Sequence, residues 1–237
     1  MSDSVEKLDI VAIDGPSGVG KSTVSRKIAV ALGYTFLDTG AMYRAVGYAL
    51  KKSRVPFDRE EKVAEALQEI TLRFLPAKED DEDVGVIVND ENISVEIRRP
   101  EMAMVASQVS ALPVVREFLT KIQRSLGKEG RIVAEGRDIG TVVFPQAAHK
   151  FFLDALPEVR ARRRLAQLHA KGVEASVTEV LQQILERDSN DRNRNIAPLK
   201  MAKDAILIDT TEIALDKVVS MILEAVAQRQ GSGLSLK

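Results

Sequence analysis

Hydrophobic residues along the chain alternate between two spacings, which predict strands and helices in turn. Leu8–Ile13 is a short apolar run rich in β-branched side chains, which is typical of a strand buried on both faces. From Lys21 to Leu32 the apolar residues recur at helical spacing, and Gly33 is a natural helix end. Further short strands are predicted at Thr35–Leu37, Arg131–Ala134, Lys150–Leu153 and Ala205–Ile208. Strands that alternate with helices predict an α/β fold, in which a parallel sheet is covered on both faces.

A different pattern interrupts this alternation between Thr71 and Ile97. Short connections there favour antiparallel pairing, so we predict a small α+β insert. Its strand-like runs are Thr71–Leu75, Val84–Val88 and Ile93–Ile97, joined by the acidic stretch Lys78–Asp83 and a turn-rich segment at 89–92. Pro100 then predicts the first turn of a helix, and Pro113 begins another that extends to Leu126.

Helices are predicted for most of the last third of the chain. Pro157 suits a helix start, and Ser176 with Glu179 forms a capping box that begins a second helix. Together they predict a helical hairpin with a cationic surface, because arginines crowd the region from Pro157 to Arg194. A final helix is predicted at Leu215–Gln230, followed by a frayed tail at Gly231–Lys237.

Composition narrows the chemistry that is available. The chain has 237 residues, 45% of them hydrophobic, and a net charge of −1, which is typical of a soluble globular protein and argues against a broad nucleic-acid surface. It has no cysteine, which excludes disulfides, thiolate zinc sites and a cysteine nucleophile, and its two histidines are too few for a histidine-rich metal site. No apolar run approaches the ~20 residues of a membrane span, and the first residues fit no export signal. We therefore expect a cytoplasmic protein without a membrane or nucleic-acid partner.

A nucleotide-binding motif follows the first predicted strand. The P-loop pattern Gly-x4-Gly-Lys-Ser/Thr is met by Gly15-Pro16-Ser17-Gly18-Val19-Gly20-Lys21-Ser22. Backbone N–H groups of such a loop converge on phosphate oxygens at the start of the following helix. We expect residues 15–23, through Thr23, to bind ATP, with Lys21 on the β and γ phosphates and the Ser22 hydroxyl on Mg²⁺.

Three further segments concentrate charged residues where ligand-binding loops are expected. Two follow predicted strands, and the third ends the helical hairpin. They are Asp38-Thr39-Gly40-Ala41-Met42-Tyr43-Arg44, Glu135-Gly136-Arg137-Asp138-Ile139-Gly140-Thr141 and Glu186–Arg194. Guanidinium groups bind phosphate in a bidentate way, so these arginines predict a second phosphorylated ligand beside the P-loop. Arg162, Arg164 and Arg192 are more simply interpreted as solvated charges, and the absence of an Asn-Lys-x-Asp motif argues against a GTPase.

Together these motifs resemble those of the bacterial cytidylate kinases, a family of nucleoside monophosphate kinases. The similarity extends from about Leu8 to Gln228. It implies a P-loop NTPase three-layer fold with a five-stranded parallel sheet, within a single domain at 8–237. It also implies a monophosphate-binding insert, which we place at 62–112, a helical lid at 157–194, and a monomer.

The same resemblance implies roles for individual residues. Base-reading positions match Thr39, Ser107, Arg116 and Asp138, the acceptor-phosphate clamp matches Arg44, Arg137 and Arg194, and sugar contacts match Arg187 and Asp191. The residues expected to be catalytic are Lys21, Arg137, Arg187 and Arg194. Two positions depart from the pattern of some members: Asn190 replaces an arginine, and Glu135 replaces an aspartate. We expect these departures to affect the energetics of the lid more than the class of reaction.

The predicted reaction is transfer of the γ-phosphoryl group of MgATP to CMP or dCMP, in pyrimidine nucleotide metabolism. Two alternatives remain open. The acceptor could be another monophosphate or a small metabolite, or the chain could be a nucleotide switch that binds ATP or GTP to organise a partner. Activity measured across a panel of acceptors would distinguish a CMP kinase from a kinase for another acceptor. A nucleotide switch would yield no phosphorylated small-molecule product.

Overall fold

A computed structural model describes residues 7–75, 83–170 and 172–232, which form two sheets and the surrounding helices. The strands are β1 (Leu8–Asp14), β2 (Thr35–Asp38), β3 (Leu72–Leu75), β4 (Gly85–Val88), β5 (Glu91–Asn92), β6 (Ile132–Gly136), β7 (Ala147–Asp154) and β8 (Ile206–Asp209). The helices are α1 (Lys21–Leu32), α2 (Thr39–Lys52), α3 (Glu60–Gln68), α4 (Met102–Ser110), α5 (Pro113–Leu126), α6 (Pro157–Ala170), α7 (Val177–Asn193) and α8 (Leu215–Ser232).

The five-stranded sheet is parallel throughout and has the order β2-β6-β1-β7-β8. Strand β1 lies at its centre, and its side chains alternate between the two faces. Ile10 and Ala12 pack with α2, α3 and α5, whereas Val11 and Ile13 pack with α1 and α8. The three-layer α/β fold predicted from the sequence is therefore confirmed, and each predicted parallel strand is present to within three residues.

The insert is partly as predicted. Strands β3 and β4 pair in antiparallel fashion, but the predicted strand at Ile93–Ile97 is wrong, because the third strand is only Glu91–Asn92 and a 3-10 turn follows at Glu96–Arg98. Ile93 and Ile97 are both fully buried, but Val95, which a strand would place on the same face as these two residues, is 72% exposed, so the alternation of a strand is absent. Helix α4 begins two residues after the predicted Pro100. Of the acidic stretch Lys78–Asp83, all but Asp83 lies outside the described residues.

Helices α6 and α7 form the predicted hairpin and have a small core of their own. Ala161 and Leu168 of α6 pack against Val180 and Ile184 of α7. The capping box is present, since the Ser176 hydroxyl and backbone both bond to residue 179 at the start of α7. The hairpin is therefore a unit with internal packing of its own.

The end of the chain differs slightly from the prediction. Helix α8 extends through Ser232, two residues beyond the predicted Gln230, and the rest of the predicted tail lies outside the described residues. Across the described ranges, no single helix has both the length and the apolar composition of a membrane span. Helices α4 and α5 reach those limits only when taken together, and a bend of 97° separates them.

Candidate active site

A cleft of about 930 Å³ opens at the carboxyl ends of the parallel strands. The loop after β1, the start of α2, the segment after β6 and the carboxyl half of α7 all contribute to its wall. Most predicted site residues line it, namely Ser17–Thr23, Thr39, Arg44, Ser107, Arg137, Asp138, Arg187, Asp191 and Arg194. Gly15 and Pro16, at the start of the loop, and Arg116, which forms an ion pair with Asp138, do not line the cleft. Residues from distant parts of the sequence thus meet at one site.

The P-loop owes its path to glycine at two points. At Gly15, where φ is +150°, a Cβ atom would lie 2.1 Å from the carbonyl oxygen of Leu153, so only glycine fits against β7. Gly20 has a φ of +94° and caps α1 in the left-handed conformation that glycine adopts without strain. The loop therefore packs tightly on the sheet and leads directly into the start of α1.

Lys21 is a cation held in an unfavourable setting. It is buried, and its Nζ donates a hydrogen bond of 2.6 Å to the carbonyl oxygen of Pro16. Burial and the charges of Arg137 and Arg187 lower the pKa of Lys21 well below its usual value. An anion bound at the loop would offset those positive charges, so phosphate binding and the ammonium form of Lys21 favour each other.

Arginines from the α6–α7 hairpin and from the segment after β6 approach the same loop. Arg187 Nη1 donates to the Ser17 hydroxyl at 3.1 Å, and Arg137 Nε lies 2.8 Å from Asp191 Oδ2. Burial, with the nearby charge of Arg137, lowers the pKa of Arg187 to about 10. Burial alone would raise the pKa of Asp191, but Arg137 and Arg187 hold it below its usual value. The carboxylate therefore stays ionised and keeps the two guanidinium groups together.

Asp138 is the centre of a second group of contacts, deeper in the cleft. It forms an ion pair with Arg116, and its Oδ1 lies 3.4 Å from Nη2 of Arg194. Burial raises the pKa of Asp138, although both guanidinium groups act against that rise. Arg194 Nη1 also donates to the Ser110 hydroxyl at 3.3 Å, whose own hydrogen bond goes to the carbonyl of Ser107. Arg194, predicted for the phosphate clamp, is thus seated beside the predicted base-reading carboxylate.

Comparison with known proteins shows which family the chain belongs to. The sequence profile of the cytidylate kinases matches residues 11–228. The chain belongs to the cytidylate kinase family. It is 44% identical to cytidylate kinase from Carboxydothermus hydrogenoformans, covering 92% of this chain and 97% of that protein. With cytidylate kinase from Fervidobacterium nodosum the identity is 48%, over 92% of this chain and 96% of that protein.

Kinases of this type generally use Mg²⁺ with ATP, and the cleft offers suitable oxygen donors for it. The Ser22 hydroxyl lies close enough to the carboxylate of Glu135 to act against the rise of its pKa, and Oε1 of Glu135 is buried and finds no hydrogen-bond partner in the described ranges. Burial and the adjacent Asp38 raise the pKa of Glu135 to about 7. The described residues contain no cluster of three metal-binding side chains. One hydroxyl and one carboxylate suit Mg²⁺, which takes its other ligands from phosphates and water.

Several residues of the cleft were not predicted from the sequence. Arg164, interpreted as solvated, lines the cleft, where burial and the charge of Arg44 lower its pKa. Arg162 and Arg192 are exposed, as expected. The spacing of the arginines along α6 does not show which of them lines the cleft, because tertiary packing decides which side of the helix faces it.

Arg160 is a second residue that sequence reasoning missed. It is only 2% exposed, and its Nη1 donates to the backbone carbonyl of Ser17 at 3.1 Å. The same nitrogen lies 2.6 Å from Asp188 of α7. Arg160 therefore joins both helices of the hairpin to the P-loop backbone.

Asp14 links the two halves of the cleft. Its carboxylate, at the end of β1, accepts hydrogen bonds of 2.8 Å from the backbone N–H groups of Ile139 and Gly140. Burial raises its pKa to about 6, although those two hydrogen bonds lower it. Because Asp14 precedes Gly15 and Ile139 follows Asp138, this contact fixes the P-loop relative to the residues expected to read the acceptor base.

Proposed function

We propose that this chain transfers the γ-phosphoryl group of MgATP to the 5′-phosphate of CMP or dCMP, giving ADP with CDP or dCDP. The observation that carries the proposal is the position of Asp138. Its carboxylate lies between Arg116 and Arg194, in the same cleft as Lys21 and the P-loop. The cleft thus pairs a site for a nucleotide triphosphate with a site that combines an acceptor carboxylate and guanidinium donors.

The base of the acceptor is selected by complementary hydrogen bonding. Cytosine presents an N4 amino donor together with ring acceptors, so a carboxylate with neighbouring donors suits it. Asp138 supplies the carboxylate, and Ser107 lines the cleft with it. Thr39 and Arg116, which we also assign to base reading, donate in this structure to the Glu135 carbonyl and to Asp138. Uracil has an acceptor where cytosine has the amino group, and it would face the Asp138 carboxylate with like polarity.

The reacting phosphates are managed by fixed positive charges. Phosphoryl transfer proceeds through a loose transition state whose negative charge is spread over the oxygens, so catalysis depends mainly on positioning and electrostatic stabilisation. We assign this role to Lys21, Arg137, Arg187 and Arg194, with Arg44 on the acceptor phosphate. Ser22 and the adjacent Glu135 would hold Mg²⁺, which would supply further positive charge to the donor phosphates. No general base is needed, since the acceptor phosphate is already ionised near neutral pH.

Water has to be kept from the γ-phosphate, and the hairpin at 157–194 is suited to this as a lid. Arg160 and Arg187 from its two helices both contact Ser17 of the P-loop. Because both arginines are cationic, bound phosphate favours the closed arrangement of the lid. In the same way we assign residues 62–112 to a subdomain that covers the acceptor. The family resemblance also supports a monomeric, cytoplasmic enzyme without nucleic-acid or membrane partners, and light scattering of the purified protein tests the monomer.

The test is ADP formation from ATP across a panel of acceptors. With CMP, dCMP, UMP, AMP and shikimate at equal concentration, we expect strong selectivity for CMP and dCMP and little ATP hydrolysis without an acceptor. Preference for another acceptor would place the chain among kinases of different specificity. Tight nucleotide binding without any phosphorylated product would favour a nucleotide switch instead.

A further inference from the structure

The chain continues from Asp138 into a π turn, the single helical turn Ile139–Val143. The backbone N–H groups of Val143 and Phe144 donate to the carbonyl oxygens five residues before them, at 3.1 and 2.7 Å. The first of these acceptors is the carbonyl of Asp138, so the backbone of Asp138 is part of the turn. Such turns are rare in proteins and are frequent at functional sites. The direction of the Asp138 side chain therefore depends on what holds the π turn in place.

Charged side chains hold both ends of the π turn. At its start, the carboxylate of Asp14 accepts hydrogen bonds from two backbone N–H groups. At its end, Arg124 of α5 donates from Nη2 to the carbonyl of Val142 at 2.8 Å and from Nε to the carbonyl of Val143 at 3.1 Å. A carboxylate at the N–H end and a cation at the carbonyl end both complement the dipole of a helical turn.

Lys150 of β7 is a second cation at the carbonyl end. It is only 6% exposed, and its Nζ donates to the carbonyl of Pro145, just after the π turn, at 2.6 Å. Its aliphatic chain packs against Gly140 of the turn. A Cβ atom at Gly140 would lie 3.2 Å from Cδ of Lys150 and 3.4 Å from Oδ2 of Asp14. The turn is therefore packed closely against both charged side chains.

Asp204 holds the ammonium group of Lys150 in this position. Its Oδ1 accepts a hydrogen bond of 3.0 Å from Lys150 Nζ. Burial alone would raise the pKa of Asp204, but the hydrogen bond from Lys150 holds it below its usual value, so the carboxylate is ionised. Asp204 lies between α7 and β8, in the part of the chain that follows Arg194. Lys150 thus joins this part of the chain to the segment after β6.

We propose that Lys150 and Arg124 are positioning residues for the selection of the acceptor base. Neither side chain lines the cleft, so both act through the π turn on the carboxylate of Asp138. The carbonyl of Asp138 also accepts from the N–H of Val142, four residues on, at 2.9 Å, so ordinary helical bonding competes with the π turn. The two cations favour the π turn by holding its carbonyl end. This proposal rests on the proposed function, since it requires selection of cytosine in this cleft.

The first test uses Arg124→Gln, because Arg124 is exposed and its replacement should leave the fold intact. The ratio of kcat/KM with CMP to kcat/KM with UMP should fall about 3- to 10-fold, the effect of losing hydrogen bonds from a charged donor. The KM for ATP should change less than about 2-fold. Arg124→Lys, which keeps the charge, should recover part of the ratio. Lys121→Gln is the matched control: it removes an exposed cation of the same helix that is paired with Glu117, and it should leave the ratio unchanged.

The second test uses Lys150→Met, which keeps an apolar chain against Gly140 and removes the ammonium group. The same ratio should fall about 10-fold or more, because the donor that is lost is charged and buried. The side chain of Asp204 is 51% exposed, so water can solvate its charge in the variant. Amide hydrogen exchange of peptides that cover residues 138–147 should become faster in both variants, because the π turn opens more readily.

Different results would defeat the positioning role and the proposed function. An unchanged ratio in both variants, or equal losses with CMP and UMP, would overturn the positioning role. A rise in the KM for ATP as large as that for CMP would also overturn it, since it would show a general loosening of the cleft. Wild-type protein without selectivity for CMP and dCMP would defeat the proposed function, and the positioning role with it.

Discussion

The two sides of the cleft are built in different ways. The proposed donor side consists of one continuous loop between β1 and α1, whose shape depends on glycine. Its expected binding groups are mainly backbone N–H groups. The proposed acceptor side is assembled from side chains of α2, the insert, α5, the segment after β6 and α7, joined by ion pairs. A continuous loop can be recognised from a short motif, whereas a set of ion pairs between distant segments becomes visible only in the folded chain.

The largest effect is expected on the donor side. Lys21→Ala should lower kcat about 1,000-fold or more, because it removes a fixed positive charge from the transferring phosphate. The melting temperature should not fall, since burial and neighbouring arginines already disfavour the charged lysine in the folded protein. Steady-state kinetics and calorimetry check both points. Near-normal turnover would contradict the role given to Lys21.

On the acceptor side, Asp138→Ala should change specificity as well as rate. The variant should lose more activity with CMP than with UMP, so that the ratio of their kcat/KM values falls at least about 10-fold. Removing the carboxylate also leaves the buried Arg116 without its partner, which should cost about 3–5 kcal/mol of unfolding free energy. Equal loss with both acceptors, measured on protein confirmed to be folded, would argue against base reading by Asp138.

Asp14 connects the two sides and predicts a pH dependence. Its pKa is raised to about 6 in the folded protein from the model-peptide value of 3.8, so the folded state binds the proton more tightly than the unfolded state does. Ionisation of Asp14 therefore lowers the stability of the wild type as pH rises from about 4 to 6, by about 3 kcal/mol. The Asp14→Asn variant should not lose this stability as the pH rises. Urea unfolding at pH 4 and pH 7 measures it, and parallel pH profiles for the two proteins would refute the prediction.

The smallest effect is expected at Asn190. This residue of α7 is exposed, so the arginine found here in some family members would extend into solvent in the arrangement described. Asn190→Arg should change kcat/KM with CMP by no more than about 3-fold, within the range typical of surface substitutions. A larger gain would mean that the lid brings this position against bound nucleotide during turnover.

The difference between a continuous loop and a set of ion pairs from distant segments explains how much could be predicted from the sequence. The parallel strands and the P-loop follow from local patterns, and they are present to within three residues. The strand predicted at Ile93–Ile97 is wrong, because Val95, which a strand would place on the same face as Ile93 and Ile97, is exposed, and a 3-10 turn forms at Glu96–Arg98 instead. Local sequence patterns are thus sufficient to predict the P-loop and most of the helices and strands.

Individual arginines show where sequence reasoning ends. Arg160 and Arg162 are two positions apart on α6, yet the first is buried against the P-loop and the second is exposed. Ser107 and Arg116 were identified only through the family resemblance. The role of a charged side chain depends on which other segments surround it, and that information lies in tertiary contacts.

The central claim is that one cleft holds both nucleotides together, and a single ligand tests it directly. A compound that joins adenosine to cytidine through a phosphate chain should bind one per chain. Its affinity should exceed that of ATP or CMP alone by about 100-fold or more, because the second half binds at a high effective concentration. Isothermal titration with wild-type protein measures this. Binding no tighter than that of ATP alone would contradict the account.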